Sequence, residues 1–257
     1  MNKSHIKQTF GKASKTYDRE APVQQWAVGL LADHIEGLNL KSVCRCLEIG
    51  CGTGFLSEKV YRLFPAADWL ITDLSAEMLD QCKARLPAEK NVTFQVMDGE
   101  KPKVHEHYDL IVSSLAFQWF YDLSGSLHHL SELLAPEGRL IFTTLGPDTF
   151  IEWRQLLVAH GQPVGLHYYP SVSEINSYAF DGCQAEFTSH HKTQHYEDGV
   201  AFLKALKTIG AQVPQSGYSP LSAGTLRKML KALGSDEKGC AMTYEILLGE
   251  IVREKDR

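Results

Sequence analysis

A chain of 257 residues, 44% hydrophobic and 22% charged, has an ordinary globular composition, which excludes a disordered, collagen-like or coiled-coil protein. The formal net charge of −5 argues against broad nucleic-acid binding, and no apolar run approaches the ~18 residues of a membrane span. Six cysteines without a CxxC pair are too few for a disulfide scaffold, and the N-terminus MNKSHIKQTFGKASKTYD lacks an apolar signal core, so we expect one cytoplasmic domain.

Taken in chain order, amphipathic spacing predicts helices over Lys3–Phe10 and Pro22–Glu36. Short runs rich in Val, Ile, Leu, Phe and Thr then predict strands at Val43–Ile49, Asp68–Thr72, Val92–Met97, Tyr108–Ser113 and Arg139–Leu145. Helical stretches Phe55–Phe64, Ala76–Leu86 and Leu123–Leu134 alternate with them, the second opened by Ser75 as N-cap. A helix over Asp148–Ala159 and a turn-rich stretch Gly161–Pro170 follow. The chain ends in a strand Glu186–Tyr196, helices Val200–Ile209 and Thr225–Leu233, and a strand Ala241–Arg253. Strands alternating with helices define an open α/β sheet with helices on both faces and a late helical insertion.

Charge is distributed unevenly over this framework. Residues 201–234 carry Lys204, Lys207, Arg227, Lys228 and Lys231 and no acid, a local +5, and residues 1–20 carry +3, which leaves −13 for the remainder. Two solvated helix faces would account for this by themselves.

The first strand runs into Glu48-Ile49-Gly50-Cys51-Gly52-Thr53-Gly54, and a helix begins at once. Such a loop turns tightly and lets a ligand approach the backbone. It lacks the Gly-Lys-Ser/Thr of a Walker loop, and Phe55 stands where a dinucleotide fingerprint places its third glycine. Glu48 would repel phosphate but would suit an amino-acid ammonium. The second strand ends at Asp73-Leu74, twenty-three residues beyond Gly50, where a carboxylate can take both ribose hydroxyls. The third ends at Asp98-Gly99, placed to accept from an adenine amino group. Each feature alone has a plain explanation, since an Asp before a helix is usually a cap and Asp-Gly is usually a turn. All three in order, each at a strand C-terminus, describe a site for S-adenosylmethionine. The segment 43–146 resembles the cofactor core of class I S-adenosylmethionine-dependent methyltransferases. That resemblance implies a Rossmann-like seven-stranded sheet with the last strand antiparallel.

After the fourth strand the chain reads Ser113-Ser114-Leu115-Ala116-Phe117-Gln118-Trp119-Phe120 rather than the Pro-Pro-aromatic segment of base methyltransferases. This segment resembles that of the malonyl-acyl-carrier-protein O-methyltransferases of biotin synthesis. So do Phe10 to Asp18 with Gln24, Phe142-Thr143-Thr144-Leu145 with Glu152 and Arg154, Leu206 to Ala211, and Met242-Thr243-Tyr244-Glu245 with Gly249. Glu48 departs from the usual Asp, and Lys101 stands where a leucine before proline is frequent.

The resemblance implies a single domain over 1–257. Within it, 1–40 forms a helical lid, 43–146 the cofactor core and 197–235 a basic helical insertion. It implies methylation of the free malonyl carboxylate without a general base, S-adenosylmethionine as methyl donor and acyl carrier protein as partner. Glu48, Gly50, Gly52, Gly54, Asp73, Leu74, Asp98, Gly99, Ser114 and Gln24 would hold the cofactor. Arg154, Tyr17, Phe117 and Trp119 would hold the substrate, and an arginine on an amphipathic helix is about as often a surface residue. The acidic carrier would be steered by Lys204, Lys207, Arg227, Lys228 and Lys231. Neither nucleic acid, membrane nor metal is expected: the histidines, His190, His191 and His195 among them, lack a metal-motif spacing. Two other activities fit the same core, a methyltransferase for a small carboxylate or quinone precursor, and a silent fold that binds a carrier.

Overall fold

The structure, a computed structural model, describes residues 3–14, 21–208, 215, 217–233 and 239–255. Two helices, α1 (Lys3–Ala13) and α2 (Pro22–Gly37), precede the sheet, and proline at the first helical position starts α2 where its missing N–H costs nothing. Then β1 (Arg45–Ile49), α3 (Phe55–Leu63), β2 (Asp68–Asp73), α4 (Ala76–Arg85), β3 (Val92–Val96) and β4 (Tyr108–Ser114) alternate as expected. Ser75 caps α4, its hydroxyl accepting from the Met78 N–H at 3.3 Å. A single 3-10 turn, Phe117–Trp119, leads to α5 (Leu123–Glu132), capped by Asp122 through the Gly125 N–H at 2.9 Å. The chain continues as β5 (Leu134–Leu145), α6 (Ile151–Ala159), α7 (Val172–Ile175), β6 (Cys183–Tyr196), α8 (Gly199–Thr208), α9 (Ala223–Leu233) and β7 (Cys240–Arg253).

The seven strands lie in the order β3-β2-β1-β4-β5-β7-β6. The first five are parallel, and β7 runs antiparallel to both β5 and β6. Chain order reverses between β1 and β4, so the C-terminal ends of β1, β2 and β3 open onto one crevice at a switch point.

Alternation along the central strands fills a core on each face. Cys46, Trp69, Ile71, Leu110 and Val112 pack with Leu31 and Ile35 of α2 and with α3 and α4. Leu47, Ile49, Ile111, Leu140 and Phe142 pack on the other side with Leu127 and Leu130 of α5. Each fully buried side chain of this size contributes roughly 1.5–3 kcal/mol, so the two clusters hold the strand ends, and the loops on them, in fixed positions. A third cluster seats the insertion: Phe202 and Leu206 of α8 and Met229 and Leu230 of α9 close over Trp153 and Leu157 of α6 and Tyr244 of β7. No described helix is long and apolar enough to cross a membrane.

Candidate active site

The loop after β1 is built by its glycines. Gly50, Gly52 and Gly54 all have positive φ, at 70°, 54° and 90°. At Gly50 a Cβ would lie 2.6 Å from the Ala116 Cβ, so only glycine lets this loop pass the segment after β4. Gly54 begins α3, leaving the first N–H groups of that helix facing the crevice. At Gly52 an added Cβ would meet nothing within 4 Å, because that residue faces open space.

Asp73 ties the loop to the end of β2. One carboxylate oxygen accepts from the Gly52 N–H at 2.9 Å and the other from the Ser75 N–H at 2.8 Å. Burial pushes its pKa up, and these backbone donors oppose the rise. Glu48 is 1% exposed, and its Oε2 has no hydrogen-bond partner. Burial, with Asp73 adding repulsion, pushes its pKa up to about 8. In the free protein this carboxyl holds its proton at neutral pH; an ammonium group brought against it favours the ionised form and satisfies both its charge and its hydrogen bonding. The residues present therefore fit the amino-acid end and the ribose of S-adenosylmethionine.

Glu48, Gly50, Gly52, Asp73, Leu74, Asp98, Gly99, Ser114, Gln24 and Trp119 line one cleft. Gly54 lies just beneath it, packed on Cys82. The far end holds a residue that the motifs do not reveal. Lys3 of α1 donates to both oxygens of Asp98, at 2.7 and 2.6 Å, and also pairs with Glu100. Burial works against the lysine's charge, but the two carboxylates outweigh it and raise its pKa. With Ile6, Lys7 and Phe10 also lining the cleft, α1 lies over the end where Asp98 would meet adenine. A partner 95 residues away leaves no local signal in the sequence.

The four expected substrate residues separate. Trp119 lines the cleft, edge-on to Phe10 at 5.4 Å and to His167 at 5.5 Å between ring centroids. Phe117 is core, 1% exposed and packed on Phe120 and Phe142 at 4.8 and 4.9 Å. It also lines a second cleft, which shares Phe120 with the first. Arg154 is half-buried on α6 and lines neither cleft; it donates to the Pro147 carbonyl at the long distance of 3.5 Å, and its Nε is buried without a partner. Its guanidinium opposes the rise that burial imposes on the Tyr169 hydroxyl, which places the charge beside the second cleft. Tyr17 lies outside the described residues. Lys204 and Lys207 on α8 and Arg227, Lys228 and Lys231 on α9 are all exposed, and none pairs with a carboxylate among the described residues.

The fold also gathers Asp148, His191 and Glu245, with ligand atoms within 4.8 Å of one another. Their contacts are structural: Glu245 accepts from the Asp148 N–H at 2.8 Å and the Ser189 hydroxyl at 2.6 Å, and His191 sits 3.1 Å from Asp148.

The protonation state of Glu48 gives a stability signature. Its folded pKa of about 8 exceeds the ordinary 4.5, so the folded chain holds a proton that the unfolded chain has released. The stability this group contributes is full below 4.5 and is lost as pH rises through about 8. Thermal melting across that window should show the wild type losing stability with rising pH more steeply than Glu48→Gln. Parallel profiles would contradict the assignment.

A parallel sheet with this strand order and antiparallel β7, bearing a glycine loop and carboxylates at the ends of β1, β2 and β3, is that of a class I methyltransferase. Residues 47–140 match the family described as "Methyltransferase domain". The plantazolicin methyltransferase BpumL shares the fold, with a TM-score of 0.55 at 17% identity over 98% of this chain and 97% of that one. The malonyl-[acyl-carrier protein] O-methyltransferase of Magnetococcus marinus is 40% identical over 98% of this chain and 93% of its own length. The biotin biosynthesis bifunctional protein BioCD of Bordetella avium is 37% identical over 95% of this chain and 51% of that one. The chain belongs to the malonyl-[acyl-carrier protein] O-methyltransferase family.

Proposed function

We propose that this chain methylates the free carboxylate of a malonyl group carried as a thioester on acyl carrier protein, giving the methyl ester used early in biotin synthesis. The observation that carries the cofactor half is the orphaned, buried Glu48 oxygen beside Asp73 and the glycine loop. Full-length kinship carries the acceptor half. When bound, S-adenosylmethionine supplies an electrophilic methyl group on a sulfonium.

Glu48 then holds the ammonium, Asp73 the ribose hydroxyls and Asp98 the adenine edge, with Leu74, Gly99, Ser114 and Gln24 closing around them. The malonyl carboxylate has an ordinary pKa near ~4 and is ionised at neutral pH, so no side chain has to remove a proton. The protein's part is alignment and exclusion of water around opposite charges. Trp119 walls the site, and Arg154, a carboxylate candidate on the family resemblance, lies beside the neighbouring cleft rather than in this one. Tyr17 remains a substrate candidate on the family resemblance alone. Reduced cysteines, all six of them free, suit a cytoplasmic setting.

The exposed cations of α8 and α9 form a docking surface for the acidic carrier. Lys228 and Lys231, three residues apart on α9, share one face. Reversing both, Lys228→Glu with Lys231→Glu, is expected to raise KM for malonyl-carrier by roughly tenfold and to leave the affinity for S-adenosylhomocysteine intact. Unchanged steady-state kinetics would remove the docking surface. The acceptor itself is tested by offering malonyl-carrier, acetyl-carrier, malonyl-coenzyme A and free malonate in parallel with labelled methyl donor. Base-labile label on malonyl thioesters alone supports the proposal, and equal labelling of free malonate would point to a small-molecule enzyme.

A further inference from the structure

The second cleft has no role in what precedes. Phe117, Thr144, His167, Tyr169 and Tyr178 line its walls, and Tyr168, 73% exposed, stands at its rim. Two buried polar atoms there lack partners: the hydroxyl of Thr144, a residue with no exposure at all, and the side-chain oxygen of Gln118, whose nitrogen donates to the Leu115 carbonyl. Buried polar atoms without a partner are few in folded proteins, and at a cleft they mark positions where a ligand or a water can pair.

The lining of the cleft touches two places already described. Phe120 lines both clefts, and Trp119 packs against His167. Gln215 is fixed by the carbonyls of Gly165 and Val164, and the chain beyond it leads into α9, which carries Arg227, Lys228 and Lys231. Its charged lining is acidic, from Asp122 and Glu174, with His167 the one basic side chain among the described residues. The Arg154 guanidinium beside Tyr169 offsets one of these acids, so the cleft is close to neutral. The walls suit a neutral, flexible chain of methylenes and secondary amides.

We propose that this cleft receives the amide-bearing pantetheine arm by which a carrier protein or coenzyme A presents an acyl thioester. The assignment rests on the thioester acceptor proposed above. The Thr144 hydroxyl donates to an amide carbonyl of the arm, the Gln118 oxygen accepts from an amide N–H, and the tyrosine rings cover the methylenes. A bare dicarboxylate fills none of these positions, so the cleft selects arm-bearing thioesters over small acids.

The test is pantetheine itself, titrated calorimetrically into the full chain, with Thr144→Val and Gln118→Leu alongside. The wild type is expected to bind, and each variant to bind roughly fivefold more weakly, the loss of one neutral hydrogen bond. Thr144→Val should melt no lower than the wild type, because a methyl replaces an unpaired hydroxyl without changing shape. In kinetics, the preference for malonyl-carrier over a short malonyl thioester without amides should fall by a similar factor. Absence of pantetheine binding, or a preference unchanged in both variants, overturns the proposal even where malonyl-carrier is methylated. Thr144-dependent pantetheine binding without methylation of malonyl-carrier upholds the cleft and overturns the acceptor instead.

Discussion

Asp73→Ala is expected to lower the affinity for S-adenosylhomocysteine by at least about a hundredfold, because two charge-assisted contacts at roughly 1.5–3 kcal/mol each are at stake. In the free protein that carboxylate holds the Gly52 and Ser75 N–H groups, so it sets the loop's position before any ligand arrives. Alanine removes the acceptor for the ribose and releases the loop at the same time. Asp73→Asn keeps one oxygen and should fall between the two. Calorimetric titration measures both variants, and near-wild-type affinity in the alanine variant would place the ribose elsewhere.

Gly50→Ala carries the largest expected cost in stability. The backbone there, at a φ of 70°, disfavours any Cβ, and that Cβ would sit 2.6 Å from Ala116. Strain and overpacking together amount to about 3 kcal/mol, and relief requires the segment bearing Ser114 and Trp119 to shift. Gly52→Ala offers the contrast. Its φ of 54° brings strain as well, but its Cβ would meet no protein atom within 4 Å, so overpacking is absent there. The melting temperature of Gly50→Ala should therefore fall clearly below that of Gly52→Ala. Equal melting temperatures would contradict the geometry of the loop.

How far the sequence anticipates this molecule depends on how local each signal is. The first three parallel strands were legible because each is a short apolar run ending in an acid or a glycine turn, as at Glu48 to Gly54 and at Asp73. The early part of β5 was not. Ala135-Pro136-Glu137-Gly138 reads as a turn, yet Leu134 pairs with Tyr108 and the ladder resumes past a bulge at Leu110 and Arg139. The four-residue α7 is too short for a helical period to register.

At the site, the cofactor acids and glycines were legible because the loop and the strand ends are continuous in sequence. Lys3 was not, since its attraction to Asp98 and Glu100 arises only once α1 lies across the sheet. The second cleft was hidden for the same reason. Its walls come from the 3-10 turn, β5, the 167–170 stretch and Gln215, and the one local hint, His167-Tyr168-Tyr169-Pro170, reads as an ordinary turn-rich segment.

The most direct test of the catalytic assignment is the position of the new methyl group on the product. Intact malonyl-carrier is incubated with the enzyme and S-adenosylmethionine, and the arm is released and fragmented in a mass spectrometer. The geometry and chemistry above predict one added methyl, on the terminal carboxylate oxygen, lost on mild alkaline treatment and absent from acetyl-carrier. A methyl found on carbon, or no addition by a protein that still binds S-adenosylhomocysteine, would contradict it.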